Sequence, residues 1–159
     1  MSADDIFRMD AIDKKILHTM LKDGEFNLKE IAQKAGVSKS TVHNRIKKLK
    51  ETGVLKGVLP WLDYDKLGNT ITAISLVRAK YGPKYADEVG RRIANVKGVW
   101  AVYFVLGEND FVVMSRARNK AELEETIEKF AKLDGVERAN TAFALKILKE
   151  DPREAVRIE

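Results

Sequence analysis

Between residues 36 and 57 the chain reads GVSKSTVHNRIKKLKETGVLKG, where six lysines and arginines and one histidine stand against a single acid, Glu51. Wound at about 100° per residue, Lys39, Ser40, His43, Asn44 and Lys47 fall on one arc of a helix, and Lys48 and Lys50 belong to the same run. Ammonium groups neutralise phosphates, while a hydroxyl, an imidazole and a carboxamide exchange hydrogen bonds with base edges. The opposite arc holds Val42, Ile46 and Leu49, which can pack on other helices. Ordinary solvated helices interleave Glu with Lys at four-residue steps for mutual support. Here no acid lies between residues 38 and 50. A basic helix alone suits a solvated face equally well; the elements before it favour DNA.

A second cluster is GEND, Gly107 to Asp110. Gly107 permits a close approach that a side chain would block, Asp110 can pair with an α-ammonium group, and Glu108 or Asn109 can read a ligand's side chain. Gly, Asn and Asp are also what an ordinary hairpin turn uses, and the local sequence leaves both readings open. Elsewhere the chain holds little catalytic chemistry. There is no cysteine, which excludes disulfides, thiolate metal sites and cysteine nucleophiles. His18 and His43 are the two histidines, and no metal-ligand spacing, phosphate-cradling glycine loop or nucleophile–base pair appears. Neither a metal nor a cofactor is expected.

The elements that must position these groups show two different periods. From Asp10 to Gly24, Ile12, Ile16, Leu17, Met20 and Leu21 recur at three- and four-residue steps, so they line one face of a helix whose first turn carries Asp10 and Asp13. A shorter helix over residues 28–35 stops at Gly36, and Ser38 can cap a third that ends at Gly53. The short AGVS turn between the second and third makes a helix-turn-helix. The run VLKGVLPWL then reads as a small β wing.

Past residue 69 alternation takes over. TITAISLVRAK predicts a strand with Ile71, Ala73, Ser75 and Val77 on one side; Pro83 opens a helix; GVWAVYFVLG and FVVMSRAR form a hairpin around GEND; Asn119 and Glu122 suggest a capping box; GVERANTAFALKIL closes the series. The order βαββαβ, with a faint repeat in VKGV and LDGV, predicts a ferredoxin-like antiparallel four-stranded sheet with both helices on one face. Strands apolar on both sides, with Val99, Val105, Val113 and Ile147 among them, leave a bare face for a second copy of the chain, so a homodimer is expected. The fold class is α+β. The division is 1–60 for the winged helix-turn-helix, 61–69 for a linker, 70–150 for the ferredoxin-like domain and 151–159 for a charged tail.

The 159 residues are 45% hydrophobic and 33% charged, enough for packed cores and too balanced for disorder. Of the formal +5, the first 60 residues carry +4, which places a polyanionic partner at the N-terminal domain. No apolar run approaches a membrane span and the first residues are too acidic for a secretory signal, so a cytoplasmic location is expected. Abundant Lys and Glu with a single glutamine resemble the surfaces of proteins from hot environments.

MDAIDKKIL, DGEFNLKEIAQKAGVSKSTVHNRIKKLKETGVLKG, LDYDKLG, LGENDFVV and DGVERANTAFAL, in this order and spacing, resemble the Lrp/AsnC (feast/famine) transcriptional regulators over nearly the whole chain. The resemblance implies a sequence-specific DNA-binding regulator of metabolism that works as a dimer paired through its sheets and often as an octamer of four dimers. It also implies a small amino acid or related metabolite bound between adjacent dimers, beside Gly107, Glu108, Asn109 and Asp110 and near Thr141. On this reading Lys39, Ser40, His43, Asn44 and Lys47 meet the major groove, and Lys48, Lys50 and Lys56 meet phosphates; Arg45, between the two arcs, suits either packing or a phosphate. Two alternatives stand beside it. A few relatives of this fold combination are decarboxylases acting on haem precursors, which need a tetrapyrrole pocket in the second domain. An architectural nucleic-acid-binding protein would use the same basic helix.

Overall fold

The computed structural model describes residues 8–68, 71–156 and 158. The expected start of the ferredoxin-like domain at residue 70, the linker's last residue and the tail residues 157 and 159 lie outside them. The chain forms two compact units: one runs to Trp61 and takes in the chain from Lys149 onward, and the other is Leu62–Leu148.

In the first unit, α1 (Ala11–Lys22), α2 (Leu28–Ala35) and α3 (Lys39–Glu51) make the three-helix body. Ile16, Met20, Ile31, Ala32, Ala35 and Val42 are its buried core, with Ile12, Leu28, Ile46 and Leu55 packed against it. The caps follow the sequence. Asp10 and Asp13 form a reciprocal box at the start of α1, Asn27 caps α2, and the Ser38 hydroxyl accepts the Thr41 amide at 3.1 Å. Gly36 ends α2 in the left-handed region at φ 71°.

Two expectations change here. Among the described residues no ladder joins residues 54–62, so the β wing is not formed. The Leu55 amide turns back to the Leu49 carbonyl at 2.9 Å and its side chain joins the core, while Pro60 has no amide to give a neighbouring strand. The C-terminal segment, expected as a tail, is part of this unit. Arg153 stacks 3.8 Å from the Trp61 ring centroid and pairs with Asp151 at 2.7 Å, and Glu154 pairs with Lys22 at 3.0 Å.

The second unit is an antiparallel sheet of β1 (Ile71–Ala79), β2 (Val99–Phe104), β3 (Phe111–Ala117) and β4 (Val136–Phe143), in the order β2-β3-β1-β4, with α4 (Tyr85–Ala94) and α5 (Lys120–Ala131). That is the ferredoxin-like arrangement. Ala73, Ser75, Val77 and Ala79 alternate into the interior, where Val89 and Ile93 of α4 and Leu123 and Phe130 of α5 meet them. The two glycines of the repeat are required: Gly98 and Gly135 both sit at φ +91°, and a Cβ at Gly135 would lie 2.6 Å from Val89. The box at Asn119 closes one residue differently from expectation. Asn119 accepts the Glu122 amide, but Glu122 reaches back to the Arg118 amide at 2.8 Å. β4 also ends earlier than expected, at Phe143, so Ile147 stands outside the sheet and exposed. On the sheet's other face, Ile74 and Leu76 of β1 pair in register with Met114 and Val112 of β3, and Tyr103 lies opposite Val112 from β2.

Candidate nucleic-acid interface and ligand turn

Val42 and Leu49 are fully buried, which fixes which side of α3 turns inward. Lys39, Ser40, His43, Asn44, Lys47, Lys48 and Lys50 are all exposed. The helix thus presents cations and short polar groups on one surface and anchors the other through apolar contacts. Ser40 lies 2.8 Å from the capping Ser38 hydroxyl, and Lys47 makes a 3.8 Å ion pair with Glu51 at four-residue spacing. Both members of that pair are well exposed, where such a contact contributes little and yields to a stronger anion.

Arg45 has acidic partners within the chain. Its guanidinium turns inward and donates to Asp10 and, at 3.3 Å, to Asp13, whose side chain is 2% exposed. The Asp13 amide and the Arg45 guanidinium hold the Asp10 carboxyl below the usual carboxylate range. The sequence signal was present in two acids three residues apart at a helix start, but nothing in it said which distant cation they would meet.

At the second cluster, in the loop between β2 and β3, Gly107 and Glu108 are exposed and Asn109 is half-buried. A Cβ on Gly107 would meet nothing within 4 Å and its φ is not in the left-handed region, so within one chain no contact demands glycine there. Glu108 lies 3.8 Å from Arg138. Asp110, expected to meet an α-ammonium group, also has partners within the chain. It is 6% exposed; one oxygen accepts the Ala79 amide at 2.8 Å and the other the Tyr85 hydroxyl at 3.3 Å. Its own amide donates to Val77 and its carbonyl accepts from Val105, closing the loop. Asp110 therefore anchors the turn from beneath. The β1–β3 ladder ends at the Val77–Phe111 pair, so the Ala79 amide beyond it takes a side-chain acceptor. Tyr85, missed in the sequence, sits in an aromatic series Tyr81–Tyr85–Phe104–Phe111, and burial followed by the charge of Asp110 pushes its hydroxyl pKa up. Thr141 is half-buried, 2.7 Å from the Ser75 hydroxyl. His18 is exposed on α1. Among the described residues no helix is long and apolar enough to cross a membrane.

A three-helix body with an exposed basic helix, followed by a ferredoxin-like sheet, defines a two-part DNA-binding regulator, and the comparisons agree. An AsnC-type helix-turn-helix domain matches residues 9–50, and an Lrp/AsnC ligand binding domain matches residues 72–154. An HTH-type transcriptional regulator of Pyrococcus furiosus is 40% identical over 145 residues, which cover 91% of this chain and 97% of that protein. The HTH-type transcriptional regulator FL11 of the same organism is 37% identical over 142 residues, covering 89% and 93%. Among solved structures, the transcriptional regulator of Neisseria meningitidis in complex with L-Met shares the fold at TM-score 0.78 and 19% identity, over 91% of this chain and 94% of that one. AsnC of E. coli shares it at TM-score 0.76 and 20% identity, over 91% and 97%. The chain belongs to the Lrp/AsnC family of transcriptional regulators.

Proposed function

We propose that this protein is a sequence-specific regulator that inserts α3 into the major groove, with Ser40, His43 and Asn44 at base edges and Lys39, Lys47, Lys48 and Lys50 neutralising phosphates. The observation that carries this reading is the division of α3: every one of those side chains is exposed, while Val42 and Leu49 are fully buried against the helix-turn-helix core. With no ladder joining residues 54–62 among the described residues, α3 is the principal reading element. Operators are bound by dimers joined through the open sheet faces. Ile74 and Leu76, each 39% exposed, and Tyr103, at 56%, support this, because an apolar sheet face in water is a liability that a second copy removes. Four such dimers assemble into an octamer.

The second unit takes a small amino acid or related metabolite beside Gly107, Glu108 and Asn109, near Thr141 and between adjacent dimers, and so couples gene control to metabolism in the cytoplasm. The turn, anchored by Asp110 with Gly107 and Glu108 exposed, supports this, as does the complex of the Neisseria regulator with L-Met. A duplex selected from a random pool, titrated at several salt concentrations with and without a panel of amino acids, tests the whole reading. Equal affinity for selected and random duplexes would remove sequence-specific regulation, and an affinity indifferent to every amino acid would remove the sensing role.

A further inference from the structure

We infer that Arg45 is a positioning residue for DNA reading: it sets the roll of α3 through the α1 cap and makes no phosphate contact. The inference rests on the proposed role of α3 in DNA binding. Val42 and Leu49 hold α3 to the body by apolar burial, which resists separation but is non-directional. Directional contact comes from Arg45. Its Nη1 donates to Asp10 Oδ2 and to Asp13 Oδ1, bridging 35 and 32 residues of sequence. The same two carboxylates are already aligned by α1. Asp10 Oδ1 accepts the Ile12 and Asp13 amides, each at 2.9 Å, and Asp13 Oδ2 accepts the Asp10 amide at 3.2 Å. The guanidinium is thus seated on a frame that the backbone of α1 holds fixed.

Burial decides between this role and a phosphate contact. The Asp13 side chain is 2% exposed, against 28% for Arg45. Moving the guanidinium outward would leave the buried Asp13 charge with the Asp10 amide as its remaining partner named here, and losing its cation costs more than one solvated phosphate contact returns. Arg45 therefore stays inward when DNA arrives. Any change in this bridge tilts the surface that carries His43 and Asn44, so it alters base reading before it alters phosphate attraction.

The test uses the full chain and two duplexes of equal length, one selected from a random pool by the wild-type protein and one of random sequence, each titrated over a range of salt. Arg45→Ala should weaken the selected duplex by roughly threefold to a hundredfold, the range spanned by loss of one coupled network contact. The random duplex should change little and the salt slope should stay that of the wild type. A slope shallower by about 0.9 would mark a lost phosphate contact and overturn the inference. Should that variant fail to fold, Asp10→Asn decides, because asparagine caps a helix as well as aspartate does. It removes a negative charge and half of the Arg45 seat. Positioning predicts weaker binding to the selected duplex; tighter or unchanged binding overturns it. Failure of the wild type to prefer any selected duplex would instead sink the DNA-reading function beneath it.

Discussion

Asp110→Ala should destabilise the second unit in the absence of any ligand. The carboxylate is 6% exposed and accepts two hydrogen bonds, one from the amide of the fully buried Ala79. Losing a charge-assisted bond costs about 1.5–3 kcal/mol, and stranding a buried donor costs about 1–3 kcal/mol. With some overlap between the two, the expected loss is about 2–5 kcal/mol. For a domain of this size that lowers Tm by roughly 10–25 °C. Asp110→Asn keeps an oxygen for Ala79 and offers its amide to the Tyr85 hydroxyl, so it should cost only about 1 kcal/mol. The two tryptophans make the assay clean, because Trp61 lies in the first unit and Trp100 in the second. In a Trp61→Phe background, Trp100 fluorescence follows the second unit alone. If the alanine variant melts within about 1 kcal/mol of its parent, the turn does not depend on this carboxylate and the anchoring argument fails.

Lys47→Ala should make the salt slope of DNA binding shallower by about 0.9 and weaken all duplexes alike, whereas Asn44→Ala should relax preference at one base step; parallel titrations on selected and random duplexes separate the two. Gly135→Ala, forced to hold φ +91° against Val89, should cost about 2–5 kcal/mol, and Gly107→Ala should leave thermal stability nearly unchanged, both read by Trp100. Acid should release the C-terminal segment. The hydrogen-bonded Arg153 lowers Asp151 from 3.8 to about 2, so this carboxylate contributes stability that is complete above about pH 4 and lost as pH falls through about 2. Trp61 emission in a Trp100→Phe variant, sensitive to the stacked Arg153, should change across that window and stay flat from pH 5 to 7.

Helix periods, caps and strand alternation were legible because each is a local matter. The spacing of Ile16 and Met20, the side chain of Ser38 and the left-handed glycines depend only on neighbours a turn away, and the exposed surface of α3 follows from the same periodicity. The βαββαβ order was legible for that reason too. What tertiary structure decided was which distant groups meet. Arg45, poised between two arcs in the sequence, was committed to Asp10 and Asp13 by the burial of a carboxylate on another helix. Asp110, read from the sequence as a ligand group, proved also to anchor its turn, because the β1–β3 ladder ends at Val77 and leaves the Ala79 amide in need of an acceptor. The wing dissolved because Leu55 found a place in the helical core, and the tail became part of the first unit because Arg153 found Trp61. In each case a polar or apolar group took the partner that left least unsatisfied, and that choice depends on positions brought together only by the folded chain.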